Sequence, residues 1–143
     1  MQEIRTFYSH SIKDTESIAN VISSKLTSNV CIYITGDMGS GKTSLSKFIA
    51  SNLNINDFNS ATYSKVSISK GLRNLVHCDF HHINPNSTFI ETEILPNLVT
   101  PWIFIVEWPQ VIYDIDCRQL IHIKLEYIGK FSRKITFSCF KQS

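Results

Sequence analysis

Residues 36–43 read GDMGSGKT and hold three of the five glycines of the chain. Gly36, Gly41, Lys42 and Thr43 fit G-x-x-x-x-G-K-[ST], the pattern of a phosphate-binding loop. In such a loop, backbone N–H groups and the N-terminus of the next helix hold phosphate oxygens. Glycine suits it because glycine adopts positive φ and lets the backbone approach a ligand closely.

The residues on either side of this loop have the patterns of a strand and a helix. Residues 30–34 form a continuous apolar run with β-branched side chains, which predicts a strand buried on both faces. After the loop, apolar residues recur at helical spacing at Leu45, Phe48, Ile49 and Leu53. A strand before the loop and a helix after it are the context in which the motif is informative.

The motif also assigns roles to single residues. Lys42 is expected to pair with the β- and γ-phosphates and is a catalytic candidate, and the Thr43 hydroxyl is expected to bind Mg²⁺. The sequence therefore predicts a nucleoside triphosphate and Mg²⁺ as cofactors at this loop. The nucleotide-binding candidates in the loop and directly after it are Asp37, Met38, Gly39, Ser40, Gly41, Lys42, Thr43 and Ser44.

The composition predicts a single domain over residues 1–143. The chain is 43% hydrophobic, enough for one core, and shows no repeat or shift in composition that would mark a second domain. It has no apolar run of about 18 residues and no basic-then-apolar leader. We therefore expect a cytoplasmic protein without membrane contact.

The net charge and the cysteines indicate which partners and which redox compartment to expect. A formal net charge of +2 allows transient contact with RNA but does not predict a nucleic-acid-binding surface, so we expect no binding to DNA. The four cysteines are scattered and form no C-x-x-C pair. Buried free thiols in a reducing compartment explain them better than disulfides or zinc.

Other patterns predict an α/β fold of the P-loop NTPase type, with a largely parallel central sheet flanked by helices. Ser11 and Asp14 resemble a capping box, and apolar residues at every fourth position then predict a helix over 15–26. Apolar runs at 75–80 and 103–106 predict two further strands. Alternation at 121–127 and 134–139 predicts an antiparallel C-terminal hairpin around Gly129 with one face on the core.

Two acidic residues close apolar runs, at Asp79 and Glu107. Ligands of open α/β sheets bind outside the carboxyl ends of the strands, so both residues are site candidates. Phosphate-loop ATPases need one carboxylate for Mg²⁺ and usually a second group for the attacking water. Asp79 suits the metal and Glu107 the water, but the sequence also permits the exchange, which makes Glu107 both a catalytic and a metal candidate.

Two further residues have alternative interpretations. Thr62, in the polar segment 59–64, could complete the Mg²⁺ shell or sense the γ-phosphate, or could belong to an ordinary connection. Trp108, which precedes Pro109, could shield the site or stack on the nucleotide or a partner, or could be a packing residue. Both are kept as candidates for nucleotide binding.

Histidines near Asp79 could suggest a zinc site. His77, His81 and His82 lie around Cys78. In a strand, however, His77 and Cys78 point to opposite faces, and no recognised zinc spacing is present. The pattern therefore argues against zinc.

The ordered set GDMGSGKT, SATYSKV, LVHCDFHHI and IFIVEWP resembles the TsaE family, formerly YjeE, of small bacterial ATPases needed to make threonylcarbamoyladenosine in tRNA. The similarity covers nearly the whole chain, and Glu107-Trp108-Pro109 is its most specific part. The resemblance implies that ATP and Mg²⁺ bind between the phosphate loop and the acidic strand ends, with Asp79 as the metal-associated Asp and Thr62 as the Thr of a Ser-Pro-Thr segment. It also implies weak ATP hydrolysis that depends on the partners TsaD and TsaB, and contact with tRNA only through them.

The chain departs from the family pattern at three places. Ala61 replaces the usual Pro before Thr62, His81-His82 replaces a common Tyr-Arg, and Gln110 stands where an acidic residue is frequent. Two other functions therefore stay open. A small-molecule kinase is disfavoured because few arginines follow the loop and little length remains for a lid. A binding module that no longer hydrolyses ATP is the second alternative.

Overall fold

Within the part of the chain that the structure describes, seven strands form one sheet. The structure, a computed structural model, describes residues 2–37, 39–55, 66–70, 72–80, 85–109 and 115–141. The strands are β1 (Gln2–Ser9), β2 (Val30–Gly36), β3 (Val66–Lys70), β4 (Asn74–Asp79), β5 (Trp102–Glu107), β6 (Gln119–Gly129) and β7 (Ser132–Lys141). The helices are α1 (Ile12–Ser24), α2 (Lys42–Asn52) and the short α3 (Ser87–Phe89), which continues as a π-helical turn (Ile90–Ile94) and a 3₁₀ turn (Leu95–Asn97).

The centre of the sheet is parallel and its edges are antiparallel. The strand order is β1-β7-β6-β2-β5-β4-β3. Strand β2 pairs in parallel with β5 and β6, and β5 pairs in parallel with β4, while β7, β1 and β3 extend the sheet in antiparallel pairs. Residues 30–34 of β2 are all buried, as expected of a central parallel strand. The predicted fold class is confirmed.

Helices α1 and α2 cover one face of this sheet. Ser11 caps α1, because its side chain accepts a hydrogen bond from the backbone N–H of Asp14. The helix predicted over 15–26 is confirmed but begins and ends earlier, since this cap fixes the first turn directly after Ser11. Ile18 and Ile22 of α1 are buried in one cluster with Leu45 and Ile49 of α2. Burying one such side chain contributes about 1.5–3 kcal/mol.

A second cluster of buried side chains lies on the opposite face of the sheet. It includes Tyr33, Phe104 and Phe80, and the helical turns at 87–97 supply the buried Ile94. Cys31, Cys78 and Cys117 also belong to it, whereas Cys139 lies in the first cluster. All four cysteines are buried and free, as predicted.

The predicted C-terminal hairpin is formed by β6 and β7. Ile121, Ile123 and Leu125 are buried on the core face. The alternation fails at Tyr127, which the pattern placed with the inward-facing residues but which is 44% exposed. A register irregularity between Tyr127 and Gly129 turns this end of the hairpin out of the core, where Tyr127 contacts the phosphate loop.

No helix among the described residues has both the length and the apolar character that crossing a membrane requires.

Candidate functional site

The phosphate loop, residues 36–43, connects the central strand β2 to α2. Gly36 has φ +152° and Gly41 has φ +104°, in the region that favours glycine. Gly41 is also the residue that precedes the first turn of α2, and it has no side chain with which to cap the helix. The N–H groups of that turn are therefore available to an anion, and the helix dipole adds positive potential there.

The ammonium group of Lys42 is folded back on this loop. Lys42 Nζ donates hydrogen bonds to the carbonyl oxygens of Gly36, at 2.9 Å, and Asp37, at 2.8 Å. It also lies 3.8 Å from the ring centroid of Trp108. Burial lowers the pKa of Lys42 from its usual value, and the negative charges of Glu107, Asp79 and Asp37 oppose that shift. The site thus contains a lysine that is held by backbone carbonyls and an aromatic ring and lies within the electrostatic influence of three acidic residues.

Thr43 and Glu107 are joined directly. The Thr43 hydroxyl donates to Glu107 Oε1 at 2.8 Å, which connects the first turn of α2 to the end of β5. Glu107 is only 2% exposed, and its other oxygen, Oε2, is in contact with His77 Nε2. The sequence assigned Thr43 and Glu107 to one site, and the fold brings their oxygens together because β5 is the neighbour of β2.

Asp79 lies beside Glu107, at the carboxyl ends of the neighbouring strands β4 and β5. The parallel pairing of β4 with β5 puts these two residues opposite each other in register. Residues opposite each other in a ladder point to the same face, so both carboxylates are on the side of the sheet that α2 covers. The charge of Asp79 acts on Lys42. Lys42, Thr43, Asp79 and Glu107 therefore form one cluster.

Trp108 has an unusual backbone conformation at this cluster. Its φ is +60°, which is rare for a bulky residue, and its N–H donates to Ile34 O at 3.1 Å. Strained conformations of this kind concentrate at functional sites because the surrounding structure must hold them. The indole ring lies against the Lys42 ammonium, and the role of Trp108 in nucleotide binding stays a prediction.

Tyr127 and Arg133, which the sequence analysis did not select, hold the loop from the outside. The Tyr127 hydroxyl donates to Gly39 O, and Arg133 Nε donates to Ser40 O at 2.6 Å. Both acceptors are backbone carbonyls of the phosphate loop. Fixing the carbonyls on one side orients the peptide groups, and so the N–H groups, of the loop. The hairpin pattern contains no signal for this contact.

A cavity of about 180 Å³ adjoins the same loop. It lies between the beginnings of α1 and α2, and its lining includes Ser11, Ile12, Ser44, Phe48 and Arg133. The lining is mixed, because the apolar Ile12 and Phe48 face hydroxyl groups and a guanidinium. Gly39 and Gly41 of the phosphate loop also line it.

Two of the predicted nucleotide-binding residues, Met38 and Thr62, lie outside the described residues. The same holds for Ala61, His81, His82 and Gln110. The predicted separation of His77 and Cys78 is confirmed, since His77 contacts Glu107 whereas Cys78 is buried in the second cluster on the other face.

A glycine-rich loop lies between the parallel strand β2 and a helix, and carboxylates lie at the carboxyl ends of β5 and β4, the next two strands on one side. This arrangement defines an α/β protein of the P-loop NTPase type. Comparison with known proteins narrows this class. Residues 9–135 match the family described as threonylcarbamoyl adenosine biosynthesis protein TsaE, and the chain therefore belongs to the TsaE family. This family is involved in the biosynthesis of threonylcarbamoyladenosine in tRNA.

One relative and one solved structure are informative. The tRNA threonylcarbamoyladenosine biosynthesis protein TsaE of Borreliella burgdorferi is 37% identical over 86 residues, which are 57% of this chain and 61% of that protein. The match thus spans about three fifths of the length of the relative. The crystal structure of Bacillus subtilis YdiB superimposes with a TM-score of 0.73, covering 96% of this chain and 86% of that one at 19% identity. This second likeness shows a common fold.

Proposed function

We propose that this protein binds ATP with Mg²⁺ at the phosphate loop and hydrolyses it slowly, as one step of threonylcarbamoyladenosine biosynthesis. The observation that carries the proposal is the hydrogen bond between Thr43 and Glu107 at the N-terminus of α2. A loop of this sequence needs a hydroxyl and a carboxylate side by side to hold the metal of a nucleoside triphosphate.

The side chains at this point fit magnesium. The Thr43 hydroxyl and the Glu107 and Asp79 carboxylates are hard oxygen donors, which Mg²⁺ prefers, and nucleotide phosphates would supply further oxygens. The bound ion would neutralise charge that develops on the phosphates during hydrolysis. Because Thr43 contacts Glu107, we assign Glu107 as the carboxylate closest to the metal. Asp79, opposite it on the next strand, would be a second carboxylate near the metal.

Lys42 would change partners when phosphate binds. In the structure its Nζ is held by loop carbonyls and the Trp108 ring. A phosphate is a stronger acceptor for an ammonium than a neutral carbonyl, because the hydrogen bond is then assisted by charge on both sides. Trp108 would continue to cover this position and exclude water from it.

The nucleoside would occupy the cavity beside the loop. Gly39 and Gly41 of the loop and Ser44, the residue after it, line the cavity, so a nucleoside attached to phosphates on the loop would extend into it. The side chains of Ile12 and Phe48 would pack against an apolar ring, and the hydroxyl of Ser11 could accept or donate a hydrogen bond at its edge.

The role in tRNA modification is proposed from membership of the TsaE family. Threonylcarbamoyl transfer to tRNA would occur on the partners TsaD and TsaB, and this protein would hydrolyse ATP in their presence and meet tRNA through them.

Phosphate release from ATP, measured alone and with TsaD, TsaB and tRNA, tests this proposal. We expect slow release from the protein alone and clear stimulation by the partners. Lys42→Ala should abolish the stimulated rate because the substitution removes the positive charge that pairs with the β- and γ-phosphates. Lys47→Ala is the matched control, since Lys47 lies on the exposed face of the same helix. Phosphorylation of an added small molecule, or tight ATP binding without release, would contradict the proposal.

A further inference from the structure

Glu107 is a buried carboxylate held by two different donors. Thr43 contacts Oε1 from α2, and His77 contacts Oε2 from β4. An isolated ionised carboxylate away from water is costly, and two donors reduce that cost. A carboxylate that binds a metal is ionised and only accepts hydrogen bonds, so in that role Glu107 requires the proton on His77 Nε2, which donates a hydrogen bond to Oε2.

The fold fixes His77 in this position. His77 and Asp79 are two residues apart on β4, so their side chains are on the same face, and Asp79 lies opposite Glu107 in the ladder. His77 lies opposite Ile105, two residues before Glu107 on β5, and contacts Glu107 from that side. Thr43 contacts Glu107 from the side of the phosphate loop. His77 is 1% exposed, so water does not compete with it for Oε2.

We infer that His77 is a positioning residue, which fixes the Glu107 carboxylate so that Oε1 faces Thr43 and the metal of the bound nucleotide. This inference rests on the proposed function. A glutamate side chain has three rotatable bonds, and its terminal carboxylate turns with little resistance. Anchoring one oxygen through a stiff, buried imidazole removes that freedom before the ligand binds. Outer partners of metal ligands typically contribute 10–100-fold to affinity or activity.

Two substitutions of similar size separate this role from simple packing. In His77→Gln the amide nitrogen reaches about as far as Nε2 and can still donate to Glu107. In His77→Asn it stops near the position of Nδ1 and cannot reach. His122→Asn is the control, because His122 is a partly buried histidine of β6 that packs edge-on against Tyr33 on the other face of the sheet.

We expect His77→Asn to lower kcat/KM for ATP in partner-stimulated hydrolysis by about 10–100-fold, because a misplaced Glu107 weakens the hold on the metal of the nucleotide. His77→Gln should recover most of that loss, and His122→Asn should retain the wild-type rate. The comparison of the Gln and Asn variants matters because a general loss of folding would affect both alike. Equal rates for the Gln and Asn variants, whether both high or both low, would overturn the inference.

A second measurement does not depend on hydrolysis. In ¹⁵N NMR of the histidine rings without nucleotide, His77 should show a proton on Nε2. A bare Nε2 would overturn the inference directly. If Nε2 is protonated but the wild type releases no phosphate with its partners, the proposed function fails and the positioning contact stands.

Discussion

Gly36 lies where the phosphate loop comes closest to β6. A Cβ atom added there would lie 2.7 Å from the backbone oxygen of Leu125 and 2.7 Å from Ser40 Oγ, and φ is +152°. Gly36→Ala should therefore lower the free energy of unfolding by about 1–3 kcal/mol, because both the contact and the conformation are strained. Denaturation in urea measures the change.

Gly129→Ala is the control for that substitution. Its added Cβ would meet only the Ser132 side chain, at 3.7 Å, which is ordinary contact. We expect a change within about 0.5 kcal/mol. Equal effects at the two glycines would show that crowding at the phosphate loop does not limit stability.

At the residue scale, the sequence predicted the site residues that a single segment of the chain can identify. Lys42 and Thr43 follow from a pattern within one loop, and Asp79 and Glu107 follow from the ends of two apolar runs. The contact of His77 with Glu107 joins residues 30 positions apart, and that of Arg133 with Ser40 joins residues 93 positions apart. Such partners depend on which strands become neighbours, and no single segment contains that information.

The hairpin of β6 and β7 contacts the phosphate loop through Tyr127 and Arg133. Tyr127→Phe removes the hydroxyl that donates to Gly39 O but leaves the ring that Arg133 packs against, with its guanidinium carbon 5.0 Å from the ring centroid. We expect weaker ATP binding, by about 0.5–1.5 kcal/mol, since one hydrogen bond that orders the loop is lost. Isothermal titration calorimetry with ATP measures it.

Tyr8→Phe provides the comparison for Tyr127→Phe. Tyr8 lies on the edge strand β1 and is 56% exposed. Its variant should bind ATP as the wild type does. An unchanged affinity in Tyr127→Phe would mean that the hairpin does not order the loop.

At the element scale, buried strands were easier to predict than edge strands. Strand β2 was predicted because five consecutive apolar residues are covered on both faces. No strand was assigned to Gln2–Ser9 or Val66–Lys70, which form the two edges of the sheet as β1 and β3. Most of their residues remain partly or fully exposed, so burial imposed no clear pattern on them.

At the scale of the whole molecule, the fold class could be predicted but the strand order could not. The hairpin was expected from its alternation. Its parallel pairing with β2, which places Tyr127 and Arg133 over the phosphate loop, joins segments about 90 residues apart. The site is consequently assembled from the central strand, two strands on one side of it and the hairpin on the other.

The central claim is that Glu107 and Thr43 receive the metal of a bound nucleotide. ATP affinity, titrated with Mg²⁺ and with EDTA, tests this claim most directly in the wild type and in Glu107→Gln. Glu126→Gln is the control, since Glu126 is a carboxylate of β6 that contacts Lys124 at 3.8 Å. We predict that Mg²⁺ tightens binding about tenfold or more, near 1.4 kcal/mol, in the wild type and the control, and that Glu107→Gln loses most of this gain. Absence of ATP binding in the wild type, or an equal gain in Glu107→Gln, would contradict the account.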